Sequence, residues 1–472
     1  MPEWVGARIW HILAALVVVA ALNPSPAPGR LRSSLQASAL ALEGGRPAAA
    51  LVALEDALVF EPRDPALQWQ AASMALAADD MDAVLQYLDA ADSLAGPSAK
   101  GACLRGDALQ AKGDPQGALS VWPSAPSSCP DAAQHLRNLA SAYLAIDDAR
   151  GYEAALSSLV ELTPQDATAL RALAIAAATQ DPETAEAHLR AADQADPEGG
   201  VVVRALIRSI DEARAEDSPA YTLAQVGQVL AQNNEWLFAS WAFQNALQAE
   251  PDYVEARAYL GLALDRTGRD GLPDLEAAAA AAPRAAQPHA FLGMHWQMSG
   301  EPSRALTELE MAARLAPDDP AIAAEMAAAY DALGETDSAL TAYRRATDLA
   351  PRQPGFWLLL AGFSTGHELQ VRTIGLPAAR NAVALAPQDP AGWDALGDCY
   401  LLSGDLAMAD RILTRALELA PQRPSTLYHV GLLRLYQGDL AAARAALQSA
   451  IQGDPDGPIA DLAQRALDRA GP

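Results

Sequence analysis

Lysine is almost missing from this 472-residue chain: Lys100 and Lys112 are the only two. The other positive charges are arginines, and the 33 basic residues face 59 Asp and Glu, for a net charge of −26. A phosphate backbone is held by clustered positive side chains, and no basic stripe occurs, so the composition argues against nucleic-acid binding. Cysteine is also scarce, and three of them permit a single bridge at most. Long apolar runs are confined to the first residues; later apolar stretches are rich in alanine and broken by charge, which leaves no second candidate for a membrane span.

Catalytic constellations are missing as well. There is no G-x4-G-K-[ST] phosphate loop, no G-x-G-x2-G following a strand and no G-x-S-x-G elbow. His367-Glu368-Leu369-Gln370-Val371 begins like a zinc-protease helix but has valine where the second histidine must stand, so two ligands cannot face one metal. His289 and His295 are six apart and fall on different sides of a helix, and the other histidines are isolated. The expectation is a chain that is not an enzyme and holds neither metal nor cofactor. Acidic pairs such as Asp79-Asp80 and Asp318-Asp319 read as turn residues and helix caps.

What the chain does contain is a recurring register. Trp393, Leu396, Gly397 and Tyr400 precede Ala409, Leu413, Ala416 and Pro421, and 34 residues later come Leu427, Val430, Gly431, Ala443, Leu447, Ala450 and Pro455. Backward from Pro421, the prolines at 387, 351, 317, 283 and 251 repeat the spacing to within two residues. Proline lacks the amide donor and belongs just beyond a helix end, so each is a stop signal. Between the stops, Gly397 and Gly431 align with Gly293, Gly261 and Gly227, and Ala409 with Ala339, Ala305 and Ala239, which marks where two helices must approach closely. Gly300, Gly334, Gly404 and Gly438, each followed by Asp or Glu, read as left-handed caps between paired helices.

The pattern W-x2-L-G-x2-Y, then A-x3-F and a closing proline, resembles the tetratricopeptide repeat family. The resemblance implies an all-α fold, a right-handed superhelical solenoid of antiparallel helix hairpins, here about twelve of them. The front half is more worn, with units closing at Pro62, Pro164 and Pro197. The register fails after Gly199-Gly200, where an additional helical stretch, Val201 to Arg214, has no pairing partner. The expected organisation is therefore a leader at 1–30, a degenerate block at 31–199, an extra helix or hinge at 200–219 and a second block at 220–472 that ends in a capping helix from Pro458 to Ala470. A longer loop is expected in the unit that begins at Pro354.

In that family the inner groove is lined by first-helix side chains. Carried over residue by residue, the geometry selects Gln228, Gln232, Met294, Gln297, Met298, Asp394, Asp398, Leu402, Tyr428, Leu432 and Tyr436. Family members that clamp acidic chaperone tails use lysine, asparagine and arginine there, whereas Asp394 and Asp398 stand at matching places here. The implied partner is a protein or peptide segment, basic or apolar. The expected function is a non-catalytic scaffold for protein–protein interaction. The alternative is an accessory subunit of an envelope enzyme or polysaccharide assembly system, with Trp236, Trp241, Trp296 and Trp357 as glycan platforms.

Ile12 to Leu22 is uninterrupted apolar sequence, preceded by Arg8 and followed by Asn23-Pro24-Ser25-Pro26. Its length suits a signal-peptide core and reaches a spanning helix only by counting from Trp4. The expectation is export across, or outward-facing anchorage in, a bacterial-type membrane; a cytoplasmic array tethered by the same helix is the other reading. In an oxidising compartment Cys103 and Cys129 could be bridged across one hairpin, a question the sequence leaves open, while Cys399 is expected to pack as a buried thiol.

Overall fold

The computed structural model describes residues 29–123, 126–197 and 199–470. The leader expected at 1–30 thus lies outside the described residues except for its last two, and no helix among those described is long and apolar enough to cross a membrane. The described residues form α-helices joined by short turns, with no strand. They fall into two compact units, one ending at Ala249 and one beginning at Glu250.

The first unit opens with hairpins α1/α2 (Gly29–Glu43, Pro47–Phe60), α3/α4 (Pro65–Ala77, Met81–Ala95) and α5/α6 (Ala99–Ala111, Pro115–Val121). It continues with α7/α8 (Ala132–Ala145, Ala149–Leu162) and α9/α10 (Ala167–Gln180, Pro182–Ala195), then the single helix α11 (Val201–Ala213) and the hairpin α12/α13 (Pro219–Gln232, Trp236–Ala249). The segment 200–219 therefore lies inside this unit, with α11 packed between α10 and α12. After α11 the chain turns back: α13 packs on α9, and Trp241, Leu237 and Phe238 enter the apolar cluster of Leu136, Tyr152, Leu156 and Leu173.

The second unit is regular. Its hairpins are α14/α15 (Val254–Arg266, Leu272–Ala281), α16/α17 (Ala286–Met298, Pro302–Leu315), α18/α19 (Pro320–Ala332, Thr336–Leu349), α20/α21 (Pro354–Gly366, Leu376–Leu385), α22/α23 (Pro390–Leu402, Leu406–Leu419) and α24/α25 (Pro424–Gln437, Leu440–Gly453), closed by α26 (Pro458–Ala470). The segment expected as a longer loop is instead a π-helical turn, Val371–Gly375, running into α21. Glu368 and Gln370, at φ of 50° and 49°, reverse the chain ahead of it.

The repeating residues hold the hairpins together as their spacing predicts. A Cβ on Gly397 would lie 2.4 Å from Leu413 Cδ2, and one on Gly293 2.5 Å from Leu309 Cγ, so the second helix seats a leucine directly on the first helix's backbone. Ala239, Ala305, Ala339 and Ala409 are fully buried at the facing position. Gly404 and Gly438 take φ of 78° and 79°, and Asp405 and Asp439 behind them accept from the amides of Met408 and Ala442, so one residue reverses the chain and the next caps the new helix.

The stacking turns have a shared bond. Trp357 Nε1 donates to Pro351 O and Trp393 Nε1 to Pro387 O, both at 2.9 Å; Arg257 and Gln68 make the same six-residue contact to Pro251 O and Pro62 O. The signature tryptophan is thus occupied in fixing the turn that precedes its own helix.

One hairpin departs from the rest. Helix α6, with seven residues, is the shortest of the second helices described, and Trp122, just beyond its end, lays its indole over Gly106 where another unit would place a leucine; a Cβ on Gly106 would sit 2.2 Å from Trp122 Nε1. The Cys103–Cys129 disulfide, with Cα atoms 5.8 Å apart, ties the following segment to α5. Cys399 is free and fully buried.

Candidate binding face

In the second unit consecutive first helices touch one another, α14 to α16, α16 to α18, α20 to α22, α22 to α24 and α24 to α26, whereas second helices make no comparable contact with second helices. The side carrying the first helices is therefore the inner one, and a guest approaching it meets their exposed positions.

Three junctions between successive first helices are joined by a histidine and an aspartate. His295 Nδ1 lies 2.8 Å from Asp265 Oδ2, His367 Nε2 2.7 Å from Asp331 Oδ1, and His429 Nδ1 2.8 Å from Asp394 Oδ1. They alternate with junctions of another kind: between the first two pairs, Gln297 Nε2 donates to Glu325 O at 3.0 Å. Asp265 also accepts from the amide of Gly271, which leaves it 7% exposed.

The last pair changes the reading of the acidic groove. Asp394 is 5% exposed and turned to His429, with Arg423 3.8 Å away, and Asp398 lies 3.7 Å from the other ring nitrogen. Burial pulls the His429 pKa down, but the charges of Asp394 and Asp398 outweigh it and raise it to about 9. Burial opposes ionisation of Asp394 in turn, and His429 overcomes it, holding that carboxyl below its usual range. Asp394 is thus neutralised within the fold and does not face a guest. His429 stands 35 residues after Asp394, one repeat and one residue, and that offset was the only sequence signal for the pair.

The remaining inner-face candidates separate into groups. Tyr428, Leu432 and Tyr436 come together on α24 and line a recess of about 350 Å³ against α26, where Leu462, Arg465 and Arg469 complete the wall. Tyr436 is 64% exposed. Leu402 belongs to a different recess, beside Glu368, Gln370 and Arg372 of the π-helical turn. On α16, Met298 is exposed, Met294 is half-buried and Gln297 is engaged by Glu325 O. Gln228 and Gln232 lie on α12 in the first unit and are not part of this face. Arg465 and Arg469 belong to α26, which the sequence marks only as a capping helix.

The tryptophans offered as glycan platforms are mostly engaged. Trp241 is 2% exposed, Trp357 is bonded to Pro351 O, and Trp296 carries the Arg304 guanidinium 4.8 Å above its ring and His295 at its edge. Among the described residues no group of three or more His, Cys, Asp or Glu is placed to hold a metal ion.

Tetratricopeptide-repeat profiles match residues 321–363 and 404–458. No curated protein matches the chain. Among solved structures it is similar to the APC/C hetero-tetramer Cut9-Hcn1, 14% identical over 94% of this chain and 97% of that one, with a TM-score of 0.45. Yeast Tom70 is 14% identical over 93% and 94%, TM-score 0.41. A thermophilic TPR protein of Thermus thermophilus is 24% identical over 39% and 98%, TM-score 0.34.

Proposed function

Because the chain is a tetratricopeptide-repeat protein, built of hairpins that bury one side against each other and leave another to a guest, we propose that it is a non-catalytic scaffold holding a segment of a partner protein on the inner face of its second unit. The observation that carries this reading is the aromatic and aliphatic surface of Tyr428, Leu432 and Tyr436, gathered in one recess on that face. Tyrosine and leucine side by side give a guest apolar area with a polar edge, the composition of many protein interfaces.

The reading extends to location. The scaffold works outside the cytoplasm, exported or anchored by its N-terminal apolar run. The Cys103–Cys129 bridge supports this, since disulfides persist mainly in oxidising compartments.

A photo-crosslinking residue placed at Leu432, with a second at the exposed Gln448 on α25 as the outward control, tests the first claim in cells that make the protein. A discrete protein adduct at Leu432 and none at Gln448 is expected; equal labelling at both, or none at Leu432, sinks it. Mass spectrometry of the alkylated chain, taken from cells without reductant, tests the second: Cys103 and Cys129 should be protected and Cys399 alone modified after denaturation.

A further inference from the structure

The recess at the end of the second unit has a charge opposite to that of the molecule. Its lining holds two arginines, Arg465 and Arg469, and no carboxylate, in a chain with 59 acidic and 33 basic residues. Several arginines elsewhere are held by acids: Arg434 pairs with Asp410 at 2.8 Å, and Arg105 with both Asp89 and Asp92. Neither Arg465 nor Arg469 has a carboxylate within 4 Å among the described residues, even though Asp461 and Asp468 are on the same helix. Arg465 Nε donates to the backbone oxygen of Asp461, and Asp468 accepts from Gln464 on another side of the helix.

The register explains how the arginines come to be there. Arg465 stands 34 residues after Gly431, the place where the first helices carry glycine to receive a second helix. A second helix closing on α26 in the manner of the others would collide with it. Both arginines are exposed, and with Leu462 they form one wall of the recess whose other wall is Tyr428, Leu432 and Tyr436.

We infer that this recess binds an acidic, apolar peptide segment of a partner protein, taking its Asp or Glu side chains on Arg465 and Arg469 and its apolar side chains on Tyr428, Leu432 and Tyr436. This rests on the inner face being the guest surface and names the chemistry of the guest, reversing the basic partner that the groove aspartates suggested. Guanidinium groups suit carboxylates because two parallel N–H donors match two oxygens. Four residues apart on a helix, they are spaced about 6 Å at Cβ, close to the distance between alternate residues of an extended chain, so a guest with acids at every second position meets both. At physiological salt the repulsion from the rest of the acidic surface is screened beyond about 8 Å, whereas contact inside the recess is not.

The test is fluorescence anisotropy with the full chain at 0.15 M salt, using two labelled octapeptides with amidated C-termini, one alternating leucine with glutamate and the other leucine with lysine. The wild type should favour the glutamate peptide by about tenfold or more, roughly 1.4 kcal/mol. R465E/R469E should reverse the preference, R465K/R469K should retain most of it, and Y436A should weaken the glutamate peptide. Unchanged thermal transitions for these surface variants establish that they fold. Preference of the wild type for the lysine peptide, an unaltered preference in R465E/R469E, or no binding of either peptide overturns the inference. If that happens while the Leu432 crosslink still forms, the guest face stands and only its assigned chemistry falls; if the crosslink also fails, both fall.

Discussion

His429 sits where two aspartates of the preceding repeat converge, and its charge state is part of the fold. A histidine whose folded pKa is raised stabilises fully below its unfolded value near 6.5, and the contribution is lost as pH rises through the folded value of about 9. The second unit should therefore lose on the order of 3 kcal/mol between pH 6.5 and 9 from this group alone. Urea unfolding at several pH values checks the slope, and His429→Gln should flatten it. At pH 6.5 the same substitution should cost about 3 kcal/mol, because it strands Asp394 in a site only 5% exposed; a loss below about 0.5 kcal/mol would show the pair to be incidental. In the sequence only the 35-residue offset between Asp394 and His429 hints at this. Asp394 and Asp398 stand four apart on a helix and read as exposed acids, since pattern alone does not tell which carboxylate a neighbouring repeat will neutralise. The opposite holds for the apolar positions: Tyr428, Leu432 and Tyr436 do share a face, because a 3.6-residue period fixes which residues point together.

At the scale of the hairpin, glycine marks the approach of two helices, and the cost of replacing it depends on what lies opposite. A methyl on Gly271 would come 2.0 Å from the backbone oxygen of Gly261, which cannot turn aside, whereas one on Gly397 meets the end of the Leu413 side chain. Gly271→Ala should therefore cost more than Gly397→Ala, the latter about 1–3 kcal/mol. Gly362, inside α20 with nothing within 4 Å, should instead gain about 0.5–1 kcal/mol as alanine. Chemical denaturation of the three variants ranks them, and a stabilised Gly271→Ala would contradict the packing described. The Gly397 contact was legible because its register is shared by five hairpins; the approach of Gly271 to Gly261 was not. The short α6 was not, since Trp122 and the disulfide do the work of a missing helical half through contacts that have no counterpart elsewhere in the chain. Reduction of that bridge, which spans a sequence separation of 26, should destabilise the first unit by about 3 kcal/mol. In calorimetry, reductant should lower a transition that the His429 substitution leaves in place.

For the molecule as a whole, the number and pairing of the helices followed from proline and glycine spacing, and twelve hairpins are found among the described residues where about twelve were counted. The division into units did not follow. The additional helix at 201–213 breaks the period and so attracts attention, yet it is bracketed by neighbours that hold it within the first unit, and contact density divides the chain at Ala249 and Glu250 instead. A break in periodicity and a break in packing are different events, and only the first is written locally in sequence. Limited proteolysis offers a direct comparison: cleavage between Ala249 and Tyr253 is expected before cleavage within 200–219, and the reverse order would favour a hinge at the additional helix.

The bond from each fourth helical residue back to a proline carbonyl carries an evolutionary corollary. Its acceptor is main chain, present whatever the side chain, and its donor is indole in two turns, guanidinium in a third and a carboxamide in a fourth. Selection on the bend can thus preserve a hydrogen bond while letting the letter that makes it wander. A motif that demands tryptophan at this place describes two of these turns and omits the two that use arginine and glutamine, though all four are closed by the same bond.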